Sequence, residues 1–423
     1  MNEDQQGLHL MAKPVGPLCN LDCGYCFYLE KEQFYPRREA FRMSDEVLRA
    51  YVRGYIEGQS SPEVEFTWQG GEPTLLGLAF FQHAVALQRE YAGGKVIRNS
   101  LQTNGTLLDD AWCTFLAAER FTVGISIDGP RAIHDAQRPD KQGRPSFDDA
   151  MRGLRLLRAH GVDFNVLVTV TRSSSAHGLE IYRFLRAEGV CFIQFNPVVE
   201  RQTLADGAQP VRLHFARPPA LARGAAAGTQ LPVSADTVER HAYGDFLIAV
   251  FDEWVRHDVG TVHVMNFEWA LAAWLQLPAS VCLFSKRCGK AMIVEHGGDV
   301  YSCDHFMYPE YRIGHIAQDS LAALAGSPAQ QAFGAAKEEA LPAWCRRCPY
   351  LFACHGECPK NRFALAPDGE PGMNYLCPSY EKYFRHITQA MNGMAQLLAN
   401  GLPAASIMQA FKGPLLIHTG GGK

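Results

Sequence analysis

Long apolar runs are missing from this 423-residue chain. No stretch of about 18 apolar residues could cross a bilayer, and no basic segment followed by a short apolar run opens the chain. Neither a transmembrane helix nor a signal peptide is therefore expected. Surplus charge is missing too: 40 Lys and Arg against 44 Asp and Glu give a formal net charge of -4, which makes no electrostatic case for nucleic acid or an anionic membrane surface. There is no evident internal repeat. These absences predict a cytoplasmic protein, expected to be monomeric, with no nucleic-acid and no membrane partner.

What is plentiful is apolar content, 47% of the chain, and cysteine, thirteen residues. The first predicts a large core divided among two or three domains. The second would suggest disulfides in a secreted protein, but in a reducing compartment it points to metal. The distribution sharpens this: three cysteines lie between 19 and 26, eight between 282 and 377. Cys113 and Cys191, each inside an apolar segment, read as small buried hydrophobes.

The opening trio is Cys19-Asn-Leu-Asp-Cys23-Gly-Tyr-Cys26. A closed structural zinc or a stable [4Fe-4S] cube takes four protein ligands, so three thiolates with no fourth until Cys113 leave one metal position for something else. A labile zinc remains an alternative on the loop alone. The loop leaves the C-terminal end of an apolar strand, Leu8 to Pro14, which is where chemistry sits in parallel α/β architectures.

Residues 1 to 200 alternate strand-like and helix-like segments, predicting parallel βα units. Strands are expected at 8–14, 64–69, ending at 105, 122–130, 163–171 and 191–199, with helices at 43–58, 77–91, from 109, 147–160 and 175–188. Six units make an open partial barrel; closure takes eight, and the missing wall would admit a substrate as large as a peptide. Strand 64–69 runs into Gly70-Gly71-Glu72-Pro73, whose glycines let backbone approach a ligand. Ser126 and Asp128 face one side of their strand, and Asp128-Gly-Pro reads equally as a turn. Residues 200–229, rich in Ala, Gly, Pro and Arg, read as a long connection, followed by helices at 243–257 and 267–277.

The second field runs Cys282-x5-Cys288-x14-Cys303, then Cys345-x2-Cys348-x5-Cys354-x3-Cys358-x18-Cys377. A hairpin turning at Gly297-Gly298-Asp299 would return Cys303 toward Cys288. Eight thiolates serve two closed cubes or two zinc sites equally well. His296, His305 and His355 are surplus to either count.

The CxxxCxxC loop with an aromatic before its last cysteine, together with Gly70-Gly71-Glu72-Pro73, resembles the radical S-adenosylmethionine (SAM) superfamily. That resemblance implies a TIM-like (β/α)6 partial barrel carrying a [4Fe-4S] cluster on Cys19, Cys23 and Cys26. SAM would chelate the open iron, with contacts at Tyr25, Gly70, Ser126, Arg138 and Val199. The second field resembles the SPASM extension, which implies two auxiliary [4Fe-4S] clusters, one on Cys282, Cys288, Cys303 and Cys358, the other on Cys345, Cys348, Cys354 and Cys377. The expected division is a barrel over 1–200, connection and bridging helices over 201–278, a SPASM domain over 279–385 and a C-terminal helix and tail over 386–423.

Met11-Ala-Lys-Pro14, Cys26-Phe-Tyr28-Leu-Glu30, Gln69 to Thr74, Gln102 to Leu107, Ser126 to Pro130 and Tyr301-Ser-Cys-Asp304 further resemble anaerobic sulfatase-maturating enzymes. The resemblance implies oxidation of a Ser or Cys in an unfolded or nascent sulfatase peptide to Cα-formylglycine, with Asp304 taking the substrate proton. Tyr28 would help organise the pocket, and a small donor protein of flavodoxin or ferredoxin type would supply electrons. A SPASM enzyme that crosslinks or epimerises another ribosomal peptide is the nearer alternative; such enzymes often carry a recognition domain ahead of the loop, where this chain has 18 residues. A non-catalytic electron-transfer protein is more distant, having no use for an open cluster.

Overall fold

Alternation of side chains makes the strands. In β2 (Glu63–Trp68) the even residues Val64, Phe66 and Trp68 are buried while Glu63 and Glu65 face solvent, the period-two pattern of a strand covered on one side. Trp68 meets Tyr51, Phe80 and Phe81 edge to face at 5.7–6.1 Å. Burying each such ring contributes about 2–3 kcal/mol. The computed structural model describes residues 7–36, 40–203, 215–219, 221 and 231–411. Most of the expected 200–229 connection and residues 412–423 of the tail lie outside these.

The strands β1 (His9–Lys13), β2, β3 (Val96–Thr103), β4 (Thr122–Ser126), β5 (Asp163–Val170) and β6 (Phe192–Pro197) pair in parallel in chain order. Between them run α1 (Asp45–Glu57), α2 (Leu78–Tyr91), α3 (Asp110–Ala118), α4 (Arg131–Gln137), α5 (Phe147–Ala159) and α6 (Gly178–Ala187). Ser44 and Asp109 cap α1 and α3 by accepting from Val47 N and Trp112 N, as side-chain oxygens do at helix starts. Only α4 has no sequence counterpart; seven residues behind Pro130 are too few for a periodicity.

After β6 come α7 (Ala242–His257), the two-residue β7 (His263–Val264) parallel to β6, and α8 (Met265–Trp274). The sheet does not stop at six strands. β8 (Ala291–Glu295) adds on the other side of β1, parallel and in register, with Lys13 opposite Glu295. β9 (Asp299–Tyr301) and β10 (Arg312–His315) continue it as an antiparallel meander. One ten-stranded sheet therefore joins the two cysteine fields, because Met292, Ile293 and Val294 are apolar enough to be covered on both faces.

Helices α9 (Leu321–Ala325), α10 (Pro328–Glu339), α11 (Ala343–Arg346) and α12 (Leu351–Cys354), the small hairpin of β11 (Ala364–Leu365) and β12 (Pro371–Met373), and α13 (Cys377–Ala399) complete the fold. The expected boundary at 385/386 falls inside α13. That helix packs on α7 so closely that a Cβ at Gly244 would stand 2.7 Å from Ser379 O. Cys113 is buried as expected, but Cys191 is exposed: it precedes β6, outside the covered part of the sheet.

Candidate active site

The cysteine loop leaves β1 and is clasped by the turn after β2. Gly71 N donates to Gly16 O (2.8 Å) and Glu72 N to Leu18 O (2.9 Å). A Cβ on Gly71 would lie 1.9 Å from Leu18 O, and Gly70 sits at φ +134. Gly71 is thus needed for the loop's own backbone, a use that its sequence setting did not distinguish. Glu72, 1% exposed, turns inward and accepts from Thr74 N, Thr74 Oγ1, Thr103 Oγ1 and Asn104 N at 2.6–3.1 Å. Burial pushes its carboxyl up, and these four donors are what hold it. Asn104 in turn bonds Asn20 at 2.8 Å, so the ends of β2 and β3 fix the start of the cysteine loop.

A second clamp lies across the loop. Asp128, at the end of β4, receives Arg138 Nε at 2.8 Å, Arg138 Nη2 at 3.1 Å, Tyr25 OH at 3.0 Å and Thr169 N at 2.8 Å. Burial works to raise the Asp128 carboxyl, yet the Arg138 guanidinium and the hydrogen bonds hold it below its ordinary range. The Asp128-Gly-Pro turn is therefore also an ion-pair anchor, bringing Tyr25 and Arg138 together. Ser126 Oγ accepts from Gln102 Nε2 at 3.1 Å. Val199 is buried beyond β6, and its carbonyl accepts from Lys360 Nζ at 2.9 Å. Four of the five expected SAM contacts thus stand at strand ends or on the loops that leave them, and Arg138, at the end of α4, is drawn to them by Asp128.

Asp304, immediately after Cys303, faces the end of β1. Lys13 Nζ lies 2.6 Å from its Oδ1, an ionic contact that is not aligned as a hydrogen bond, so that oxygen has no hydrogen-bond donor among the described residues. Lys13 also donates to Gln69 Oε1 (2.8 Å) and sits 4.6 Å from the Tyr28 ring centre. Burial tends to raise Asp304, but Lys13, then His305, outweigh it and keep the carboxyl low; it is ionised at neutral pH. Tyr28 OH donates to Glu295 Oε1, and Tyr35 OH to Glu295 Oε2 at 3.0 Å.

Around this pair stand residues that sequence reasoning passed over: Lys31, 1% exposed and 3.4 Å from the Tyr308 ring centre, and Lys360, ion-paired with Glu200. Burial draws Lys31 down to about 8 and raises Glu30 to about 7. Their signal was available only as charges next to the quoted motifs.

The eleven clustered thiols fall into three groups by mutual influence. Cys26 raises both Cys19 and Cys23, and Cys19 raises Cys23. Cys303 is raised by burial, then by Cys282, Cys358 and Cys288; Cys354 by burial, then by Cys377 and Cys345; and Cys377 by burial, Cys345 and Cys348. Desolvation by the surrounding protein is the largest cause of each rise, with Cys19 pushed up to about 12 and Cys282, although exposed at its surface, to about 11. Thiols raised in this way become thiolates only against a cationic centre. Among the described residues no three His, Cys, Asp or Glu side chains converge tightly enough for a single bare ion. His305 Nδ1 stands 3.5 Å from Cys358 Sγ and its ring 5.4 Å from that of Phe27.

Residues 14–185 match the Radical SAM superfamily and residues 282–349 an iron-sulfur cluster-binding domain, SPASM. The chain is 43% identical over 406 residues to a serine-type anaerobic sulfatase-maturating enzyme of Bacteroides thetaiotaomicron, covering 96% of this chain and 95% of that one. It is 30% identical over 386 residues to a cysteine-type anaerobic sulfatase-maturating enzyme of Clostridium perfringens, covering 90% and 96%. In structure it is similar to native anSMEcpe with bound AdoMet and Cp18Cys peptide, with a TM-score of 0.79, 29% identity, and coverage of 92% and 99%.

Proposed function

The chain belongs to the anaerobic sulfatase-maturating enzymes of the radical SAM superfamily, and from that premise we propose that it oxidises a Ser side chain of a sulfatase peptide to Cα-formylglycine (3-oxoalanine). The preference for Ser over Cys rests on 43% identity to a serine-type relative against 30% to a cysteine-type one. The observation that carries the reaction is the ionised Asp304, salt-bridged to Lys13, beside the loop of three cysteines.

Cys19, Cys23 and Cys26 would hold the open cluster, and the two groups of four thiols the auxiliary clusters. When bound, these clusters and SAM supply an electron, a hydrogen-abstracting 5′-deoxyadenosyl radical and an electron sink. Tyr25, Gly70, Ser126, Arg138 and Val199 orient SAM, with Asp128 fixing Arg138 and Tyr25 beforehand, so that little reorganisation is left at reaction. Asp304 accepts the hydroxyl proton of the substrate. A carboxylate with a lowered pKa suffices, because a hydroxyalkyl carbon losing an electron becomes a protonated carbonyl, a strong acid. Lys13 holds the carboxylate in place and ionised; it is a positioning residue.

An external donor of flavodoxin or ferredoxin type, a monomeric state and a cytoplasmic location complete the reading. No helix among the described residues is long and apolar enough to cross a membrane. The test is to incubate anaerobically reconstituted enzyme with SAM, reductant and matched Ser and Cys sulfatase peptides, then weigh the products. Loss of two hydrogens from the Ser peptide is expected. SAM cleavage with neither peptide changed would overturn the function, and turnover of Cys alone would overturn the serine preference.

A further inference from the structure

Two buried cations stand beside the auxiliary thiols with no ion pair to a carboxylate among the described residues. Lys337, on α10, is 0% exposed, and its Nζ donates only to backbone carbonyls, Cys282 O at 2.6 Å and Leu283 O at 2.8 Å. Arg362, 5% exposed, donates to Gly356 O (2.9 Å), Lys337 O (2.5 Å), His355 O (2.8 Å) and Glu357 O (3.1 Å). Among the described residues neither forms an ion pair. The buried carboxylate nearby, Glu357, takes its hydrogen bonds from Asn361 Nδ2 at 3.0 Å and Asn374 Nδ2 at 2.5 Å rather than from either cation.

Burying a cation without a counter-charge is costly, and removing it in favour of an apolar side chain of like volume is commonly stabilising. Two such cations side by side need an anion that the polypeptide's own carboxylates do not provide. Cysteines flank them: Lys337 Nζ sits on the carbonyl of Cys282, and its helix α10 accepts Cys288 N at Gly334 O (3.1 Å), while Arg362 is bonded to the backbone of His355, Gly356 and Glu357, between Cys354 of one group and Cys358 of the other. Arg362 also latches the turn between those groups, where His355, Gly356 and Glu357 all stand left-handed at φ 46, 70 and 51.

We propose that Lys337 and Arg362 are fixed counter-charges of the two auxiliary iron–sulfur sites. Lys337 serves the site of Cys282, Cys288, Cys303 and Cys358; Arg362 stands between both, and together they favour uptake of the electron that leaves the substrate. The inference rests on the ligand reading given under the proposed function. In balance, the substrate radical left after hydrogen abstraction gives one proton to Asp304 and one electron to an oxidised auxiliary [4Fe-4S]2+ cluster, which becomes [4Fe-4S]1+. A four-thiolate site gains a unit of negative charge in that step, so a nearby fixed cation stabilises the product more than the reactant.

The test uses the reconstituted holoenzyme as wild type, Lys337→Met and Lys337→Arg, with iron and sulfide assayed first and the clusters then titrated under electron paramagnetic resonance. Lys337 is preferred to Arg362 because Arg362 also holds the left-handed turn. At a fixed potential the reduced-to-oxidised ratio of the Cys282 cluster is expected to fall about tenfold or more in Lys337→Met, a midpoint about 59 mV lower for one electron. It should return toward wild type in Lys337→Arg, while the open cluster stays unshifted. Loss of about four irons in Lys337→Met but not in Lys337→Arg would support the same charge pairing. An unshifted midpoint in fully loaded Lys337→Met, or equal iron loss in both variants, would overturn the inference and leave the ligand reading intact. Wild-type protein with iron for the open cluster alone would overturn both.

Discussion

Replacing Asp304 by Asn separates the making of the radical from the making of the aldehyde. Asn has nearly the same shape and keeps an oxygen for Lys13, but it cannot take a proton near neutral pH. Lys13, 2% exposed, would lose its counter-ion at 2.6 Å yet keep Gln69 Oε1 at 2.8 Å and the Tyr28 ring at 4.6 Å. The stability cost therefore falls below the ~3–5 kcal/mol of breaking a fully buried pair, the Asp304 side chain being itself 23% exposed. The chemical cost is larger: removal of a general base lowers the rate by ~10²–10⁴-fold, or about 3–5 kcal/mol in the barrier. With the thiols untouched, all three clusters should load and SAM should still be cleaved. Measuring 5′-deoxyadenosine by chromatography and formylglycine by mass in one reaction gives the answer. Wild-type coupling of the two products in Asp304→Asn would refute the assignment and leave Asp304 as a partner of Lys13 only.

Lys31 offers a test through pH. Its pKa falls from 10.5 when free to about 8 through burial, so the folded state binds fewer protons than the unfolded state between those values, and the cost of burying the charge is present below about 8 and relieved as pH rises to 10.5. Lys31→Met should stabilise the protein at pH 7 by ~1–3 kcal/mol, the shift of about 2.5 units at ~1.4 kcal/mol each, less the contact with the Tyr308 ring. The gain should shrink between pH 8 and 10.5, as followed by denaturant unfolding; a destabilised variant, or a gain that does not change with pH, would sink the argument. Replacing Cys19, Cys23 and Cys26 together by Ala should remove about four of about twelve irons and abolish SAM cleavage while the auxiliary clusters remain. Iron analysis and optical absorption check this, and SAM cleavage persisting in the triple variant would place the open cluster elsewhere.

Residues that announce themselves by type and spacing were legible before the fold was known, and residues that matter through pairing across strands were not. The cysteines are the first kind: rare, reactive and set at short intervals, they needed only the compartment argument to be read as ligands. The strands β2 to β6 were legible for a related reason, since one covered face imposes alternation within a short window. Lys13 is the second kind. In Met11-Ala-Lys-Pro14 it is a cation ending an apolar strand, and nothing local says that β8, almost three hundred positions later, will lie in register with Glu295 opposite it. Lys337 and Arg362 are less legible still, because a lysine in Ala-Ala-Lys-Glu-Glu has the look of a solvated helix face; the fold instead turns it inward toward carbonyls and thiols. A buried charge is invisible in sequence because its counter-charge is distant in sequence, and on the proposal above the counter-charge here is a cluster that the sequence does not encode at all. The same circumstance makes those cations informative once the fold is known: a buried ammonium that forms no ion pair among the described residues points to an anion other than a carboxylate.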